Sequence, residues 1–300
     1  MEYIPAVQKK EIEHLKALQE IAFFLNFKLS FKELSEKVLS VVISTLQVET
    51  ATIYISDPEQ KQLKCLTSVG KHKEVIIKRE ESLEHKLGFG LIGWIAQMGT
   101  AEILNEPQKN SYYSKEADSL IGITAKNILC VPIVYKNKNY GVIEVINKKS
   151  DFDELDKEFL ATVTGNIAMT LENSELYQEM IYSKEYVENI IESIPGGFIA
   201  TDKEGKITVF NSQAQNILGI NKSSAVGKNA KDVFINQSEI PSILFDAFMN
   251  QQIQNRQEVF LIVKTDKRIL IGYGTILIKN KFGKLAGSGM IFQDITEFAK

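Results

Sequence analysis

The stretch Gly88-Phe89-Gly90-Leu91-Ile92-Gly93-Trp94-Ile95-Ala96-Gln97-Met98-Gly99-Thr100-Ala101-Glu102-Ile103-Leu104-Asn105-Glu106-Pro107-Gln108 fixes the reading of the first half of the chain. Its first six residues spell GxGxxG. A dinucleotide-binding turn needs that motif to follow a buried strand and to open the helix of a βαβ unit. The preceding residues, Glu80-Glu81-Ser82-Leu83-Glu84-His85-Lys86, are no core strand. The glycines therefore read as a loop that permits positive φ ahead of a short helix at 91–98, with a strand at 101–104.

Upstream, residues 4–29 have helical period, with Ile12, Leu15, Ala22, Leu25 and Leu29 as the apolar face. Ser30 with Glu33 forms a capping box for a second helix carrying Leu34, Val38, Val41, Val42 and Leu46. The period then changes to two, giving strands at 51–55 and 63–69 around a turn at 57–60. Downstream, the apolar runs 127–135 and 140–146 flank Lys136-Asn137-Lys138-Asn139 as a hairpin. Pro132 places an edge or a bulge in the first of them. Residues 152–194 are helical almost without interruption, far above the usual ~11–12 residues. Such a helix has to bridge two domains. Leu160, Val163, Ile167 and Leu171 form one seam along it, extended by Leu176, Met180, Val187, Ile190 and Ile194.

Pro195-Gly196-Gly197 ends the long helix. A hairpin at 197–211, helices at 212–218, 229–234 and 240–252, and strands at 258–265, 268–279 and 287–295 follow. The expected fold class is α+β: two tandem domains, each a central antiparallel sheet flanked by helices, joined by a long helix. The expected boundaries are 1–178 for the first domain with its N-terminal helix, 179–193 for the helical linker and 186–300 for the second domain.

Composition narrows the function. The chain has 300 residues, 44% hydrophobic and 24% charged, with net charge −3. That is an ordinary globular balance with no basic face for nucleic acid. No apolar run approaches the ~20 residues of a membrane span, and the N-terminus lacks a signal-peptide core. Cys65 and Cys130 read as buried, reduced thiols, and the expected location is cytoplasmic. No HExxH, CxxC, GxSxG or Walker pattern occurs among the residues, so no catalytic constellation or metal site is expected. His72 and His85 fall in a charged loop region, and Lys136, Lys138, Lys148 and Lys149 read as a solvated basic group near a hairpin tip.

The 88–108 stretch resembles the central signature of GAF domains, with Gly90, Gly93 and Gly99 at the family's spacing and Asn105 and Pro107 closing the next strand. The run NILCVPIVYKNKNYGVIEVINKK at 127–149 resembles that family's last two core strands, with Pro132 and Gly141 in place. The likeness covers residues 18–178. Asn147-Lys148, Phe152 and Asp156 match the Asn-Lys…Phe…Asp-Glu motif of cyclic-nucleotide-binding relatives, which implies a fold-steadying Lys148–Asp156 ion pair. Lys157 stands where that motif ends in Glu, which weighs against a cyclic nucleotide and leaves it open. Tyr54, Trp94, Asn105 and Cys130 are candidates to line that domain's pocket, with buried core as the competing reading for Tyr54 and Trp94.

Residues 186–298 resemble a PAS domain in the runs IIESIPGGFIATDKEGKITVFNSQAQNILG, VGKNAKDVF and GSGMIFQDITEF, with Asn211, Gly219 and Gly227 in register. Asp294-Ile295-Thr296 matches that family's C-terminal triad, which implies a signal exit at Asp294 and Thr296. Residues 184–300 contain neither Cys nor His, so neither a covalent flavin adduct nor a His-ligated haem is expected there. Phe210, Asn211, Phe234, Phe248, Phe260, Tyr273 and Met290 are candidates to face a pocket, with plain core as the competing reading.

Such tandems resemble the input half of bacterial sensor histidine kinases. The expected protein is a signal-transduction module without catalysis of its own. It binds a small ligand of unknown identity, or a partner, and pairs as a parallel homodimer through Leu160, Val163, Ile167 and Leu171. It then relays its state to an output domain absent from this chain, a kinase by this resemblance. The alternative is a ligand-free dimerisation scaffold regulating a separate kinase, cyclic-di-GMP enzyme or transcription factor. Neither nucleic acid nor membrane is expected as a partner.

Overall fold

Two compact units meet in sequence at residues 178 and 179. The computed structural model describes residues 5–25, 29–57, 59, 61–80, 85–113, 124–263 and 267–298. Unit 1 opens with α1 (Ala6–Phe24) and α2 (Phe31–Leu46). Ser30 caps α2 through the backbone N–H of Glu33, whose carboxylate accepts from Ser30 N–H in return. The strands are β1 (Thr50–Asp57), β2 (Gln62–Gly70), β3 (His85–Lys86), β4 (Glu102–Leu104), β5 (Ile128–Tyr135) and β6 (Lys138–Ile146). They form one antiparallel sheet in the order β3-β2-β1-β6-β5-β4. Two short helices, α3 (Lys73–Glu80) and α4 (Gly90–Met98), lie between β2 and β4. Sequence reading missed α3 and β3, which are short and carry no apolar period.

The sheet is covered on both faces, which explains why β5 reads as a continuous apolar run. One face packs Ile53, Leu129, Val131, Ile143 and Val145 against α2, α1 and the start of α5 (Glu154–Ser193). The other packs Tyr54, Leu63, Val142 and Ile146 under Leu91, Ile92 and Ile95 of α4. The GxGxxG letters have a local cause. A Cβ on Gly93 would sit 2.1 Å from Lys86 O, so only glycine lets α4 lie against β3. The stretch of β5 beyond Cys130, which includes Pro132, has no β4 partner, because β4 pairs only with Ile128, Leu129 and Cys130.

Three expectations change. Ile12, Leu15 and Ala22 face outward on α1, while His14, Ala17 and Ile21 face the core. The seam read as a dimer face is interior: Leu160 and Val163 are fully buried, Ile167 is 1% exposed, and Leu171 packs against the same core. The first turns of α5 are a wall of unit 1, and helical period alone cannot separate a core face from a partner face. The four lysines are not one group. Lys136 and Lys138 flank the β5–β6 turn, whereas Lys148 and Lys149 follow the opposite end of β6. His72 Nε2 lies 3.2 Å from Glu49, and the side chain of His85 lies outside the described residues.

Lys148 pairs with Asp156, a fully buried carboxylate in the first turn of α5. Sequence reading missed a second cation. Lys10 Nζ, from α1, lies 2.8 Å from Asp156 Oδ1 and 2.6 Å from Asp153. His14 completes the cluster, 3.9 Å from Asp156 and stacked on Phe159 at 4.6 Å. Burial opposes the charge on Lys10, but hydrogen bonds to Asp153 and Asp156 outweigh it and raise its pKa. Burial lowers the His14 pKa despite the nearby Asp156.

Unit 2 carries β7 (Gly197–Asp202), β8 (Ile207–Phe210), β9 (Gln257–Val263), β10 (Lys267–Lys279) and β11 (Leu285–Asp294) in the order β8-β7-β11-β10-β9, all antiparallel. Its helices are α6 (Ser212–Leu218), α7 (Lys222–Ala225), α8 (Ala230–Val233) and α9 (Glu239–Asn250). The side chains of Asn211, Asn221 and Asn229 cap the first three. Phe210, Phe234, Met290 and Phe292 fill the interior.

Two consequences follow. Leu160→Ala costs about 3 kcal/mol in urea unfolding, because it opens a cavity in the unit 1 core. Acidification from pH 7.5 to 5.5 lowers the Tm of unit 1. The unfolded chain protonates His14 near its ordinary 6.5, above the folded value, so it binds more protons in that window and stability falls with pH. His14→Gln removes this part of the slope, and an unchanged slope refutes the assignment.

Candidate functional site

The α4-side face of the unit 1 sheet carries a row of polar side chains across five strands. Glu102 pairs with Cys130, Cys130 with Glu144, Glu144 with Thr52, and Thr52 with Ser68. Cross-strand partners project from the same face. The Thr52 and Ser68 hydroxyls are 2.9 Å apart, and Cys130 Sγ lies 4.0 Å from Glu144 Oε1. The Tyr54 hydroxyl donates to Glu144 Oε2 at 3.4 Å. Burial, and then the charges of Glu144 and Glu102, push the Cys130 thiol well above its ordinary pKa, so it stays protonated. Trp94, on α4, stacks on Tyr112 at 4.8 Å.

Three of the four candidate pocket residues, Tyr54, Trp94 and Cys130, thus lie on this side. Asn105 does not join them. Its amide donates to Phe152 O at 3.0 Å and accepts from Phe152 N–H at 2.9 Å, pinning the entry to α5. Glu102 and Glu144 escaped sequence reading because an isolated Glu in a strand gives no sign of its cross-strand neighbours.

The candidates in unit 2 scatter. Phe210, Phe234 and Met290 are fully packed core. Phe248 lines a groove of about 130 Å³ with Leu244, Phe245 and Ser288. The Tyr273 hydroxyl donates to Gln254 at 3.0 Å beside an open groove over Gly272 and Gly274. Phe260 faces outward at 50% exposure under the Arg268 guanidinium, because Val259, Leu261 and Val263 take the inward positions of β9.

Asn211 is a bracket within unit 2. Its amide donates to Ile191 O at 3.2 Å and Gly196 O at 2.9 Å, while its oxygen accepts from Phe198 N–H and Ala214 N–H. The end of α5 is thereby tied to β7 and α6. Glu192 adds bonds from Lys222 and Ser212. Led by Lys222, these hold its carboxyl at about 2 against partial burial. At the other end of the unit, Thr296 Oγ1 donates to Asp294 and accepts from Leu270 N–H at 2.9 Å, latching the Asp294-Ile295-Thr296 turn onto β10.

Beyond the unit 1 core, α5 presents a second seam. Met169, Leu176, Met180, Val187 and Ile190 are each 44–60% exposed. With Asn173 and Ser183 they alternate four and three residues apart, a heptad register that sets Asn173 at an a position. Among the described residues, no helix is long and apolar enough to cross a membrane, and no His/Cys/Asp/Glu group could hold a metal ion.

Comparison with known proteins agrees with this architecture. The GAF domain family model matches residues 28–172 and the PAS fold model residues 185–295. Similar curated proteins include the cone cGMP-specific 3',5'-cyclic phosphodiesterase subunit alpha' of Mus musculus, 24% identical over 150 residues, which are 47% of this chain and 17% of that protein. The cGMP-specific 3',5'-cyclic phosphodiesterase of Drosophila mojavensis is 30% identical over 117 residues, 38% of this chain and 10% of that protein. The chain thus spans under a fifth of either relative. Among solved structures, a chain of the E. coli DhaR(N)–DhaL complex matches over 96% of this chain and 88% of its own, with 14% identity and a TM-score of 0.50. The GAF domain of a phosphoenolpyruvate-protein phosphotransferase from Coxiella burnetii aligns over 56% of this chain and 98% of its own, with 17% identity and a TM-score of 0.49. Residues 28–172 are thus a GAF domain and residues 185–295 a PAS domain, with one long helix, α5, between them.

Proposed function

We propose that this chain is the sensory part of a cytoplasmic signalling protein, acting as a parallel homodimer that passes a state along α5 to an output outside the chain. The observation that carries this reading is the second seam of α5, an apolar heptad stripe left in solvent on a helix shared by two sensor domains. Charge supports the parallel arrangement. In the heptad register Glu179 takes g and Lys184 takes e, five residues apart, the spacing at which g of one helix meets e of a parallel partner. Asn173 at a fixes the register, since a buried Asn is satisfied by its own counterpart. The output is a histidine kinase by resemblance alone.

The ligand site is the α4-side face of the GAF sheet, around Tyr54, Trp94 and Cys130. Its polar row includes two carboxylates, Glu102 and Glu144. Lys157 stands where the cyclic-nucleotide motif ends in Glu, which supports a ligand other than a cyclic nucleotide. Asp294 and Thr296 serve as the exit, holding the turn after β11 against β10. A second reading, a ligand-free PAS domain working by protein contact, is supported by the packing of Phe210, Phe234, Met290 and Phe292 into its interior. The chain of the E. coli DhaR(N)–DhaL complex that shares this fold is itself part of a protein–protein complex, in keeping with this reading.

Light scattering tests the dimer. The wild-type chain runs at twice 33.8 kDa, and Leu176→Asp with Val187→Asp runs at 33.8 kDa with unchanged circular dichroism. A persistent dimer in that variant removes the seam. Titration calorimetry with cAMP and cGMP gives no binding heat, and heat from either nucleotide overturns the assigned ligand class.

A further inference from the structure

The β5–β6 hairpin contains an irregularity that no strand alternation foretells. Ile133 pairs with Gly141 and Val134 with Asn139, so Tyr140 is the extra residue of a β-bulge. Val142, Glu144 and Ile146 face the α4 side of the sheet, and uninterrupted alternation would put Tyr140 there too. The bulge turns it over. Tyr140 packs into the core on the α5 side, and its hydroxyl donates to Glu172 of α5, with Glu175 at 3.4 Å. Lys138 pairs with the same Glu175 and lies 4.6 Å from the Tyr140 ring centroid.

Asn139 turns the other way. Its amide donates to Ala96 O in the last turn of α4, a carbonyl with no partner inside its own helix. Its oxygen accepts from Gly141 N–H at 2.8 Å, so both ends of the side chain are held. Gly141 has φ +153°, and a Cβ there would lie 1.9 Å from Tyr54 O. The bulge is thus pressed against β1 at the residue whose hydroxyl reaches Glu144.

We propose that the Asn139-Tyr140-Gly141 bulge couples α4 to α5. A displacement of the α4 C-terminal turn moves Asn139, and with it the Tyr140 hydroxyl that holds Glu172. Glu172 lies between Met169 and Asn173, where α5 leaves the core and its exposed seam begins. The use of this coupling in signalling rests on the α4 side being the ligand face. The coupling itself requires no ligand.

Amide hydrogen exchange on the full chain tests it in both directions. Asn139→Ala acts on the α4 contact and is expected to speed exchange in α5 around 168–178 about tenfold, the effect expected if the Tyr140–Glu172 hydrogen bond, made to a charged group, is lost in turn. Tyr140→Phe keeps the ring and removes the donor, and Glu172→Gln keeps the shape and removes the charge. Both are expected to change exchange across 90–98 and to raise acrylamide quenching of Trp94, the single tryptophan. The double variant Asn139→Ala/Tyr140→Phe exchanges in α5 no faster than the more severe single variant. The proposal is overturned if each substitution acts only on its own side, Asn139→Ala on α4 alone and Tyr140→Phe and Glu172→Gln on α5 alone. Because no ligand is added, that failure leaves the sensory reading standing, and a chain that binds no ligand leaves the coupling standing.

Discussion

Asp156 has no contact with solvent, and a buried carboxylate is tolerated only where cations hold it. Lys148 arrives from the end of β6 and Lys10 from α1, so one side chain fixes the sheet, the N-terminal helix and the first turn of the long helix together. The rest of unit 1 depends on this arrangement. It sets the rotation of α1 that turns His14, Ala17 and Ile21 inward, and the rotation of α5 that puts Leu160, Val163 and Ile167 into the core. Breaking such a group by removing one partner is strongly destabilising, since the remaining charge stays out of water.

Once its start is fixed, α5 divides by burial. Through about Leu171 it is part of a domain, and beyond that its apolar residues stand in solvent until Asn211 and Glu192 take hold of its end. The helix is thus bound at both ends, with a bare apolar stripe between them. The Tyr140 bulge adds a contact at the junction of the two halves, and Asn139 joins that contact to α4.

Much of the fold was legible in the residues. The capping box at Ser30 and Glu33, the β5–β6 hairpin around Lys136-Asn137-Lys138-Asn139 and the length of α5 each depend on chemistry within a few residues, so sequence alone marks them. The candidate site was less legible. Tyr54, Trp94 and Cys130 lie on the α4 side of the sheet, whereas Asn105 and Asn211 are brackets for backbone groups and Phe260 lies outside. An Asn that satisfies backbone amides and one that meets a ligand have the same letter, and only the positions of its partners tell them apart.

The sequence by itself determined the class of the longer elements, the order of the two domains and the presence of a helix too long for one of them, because period, caps and turns are local properties. Tertiary structure decided which face of each helix is core, which strand residues share the polar row and which way Tyr140 points. Those depend on partners distant along the chain. Leu160 and Leu176 carry the same side chain on the same helix, and only the sheet and helices packed against the first make it core and leave the second bare.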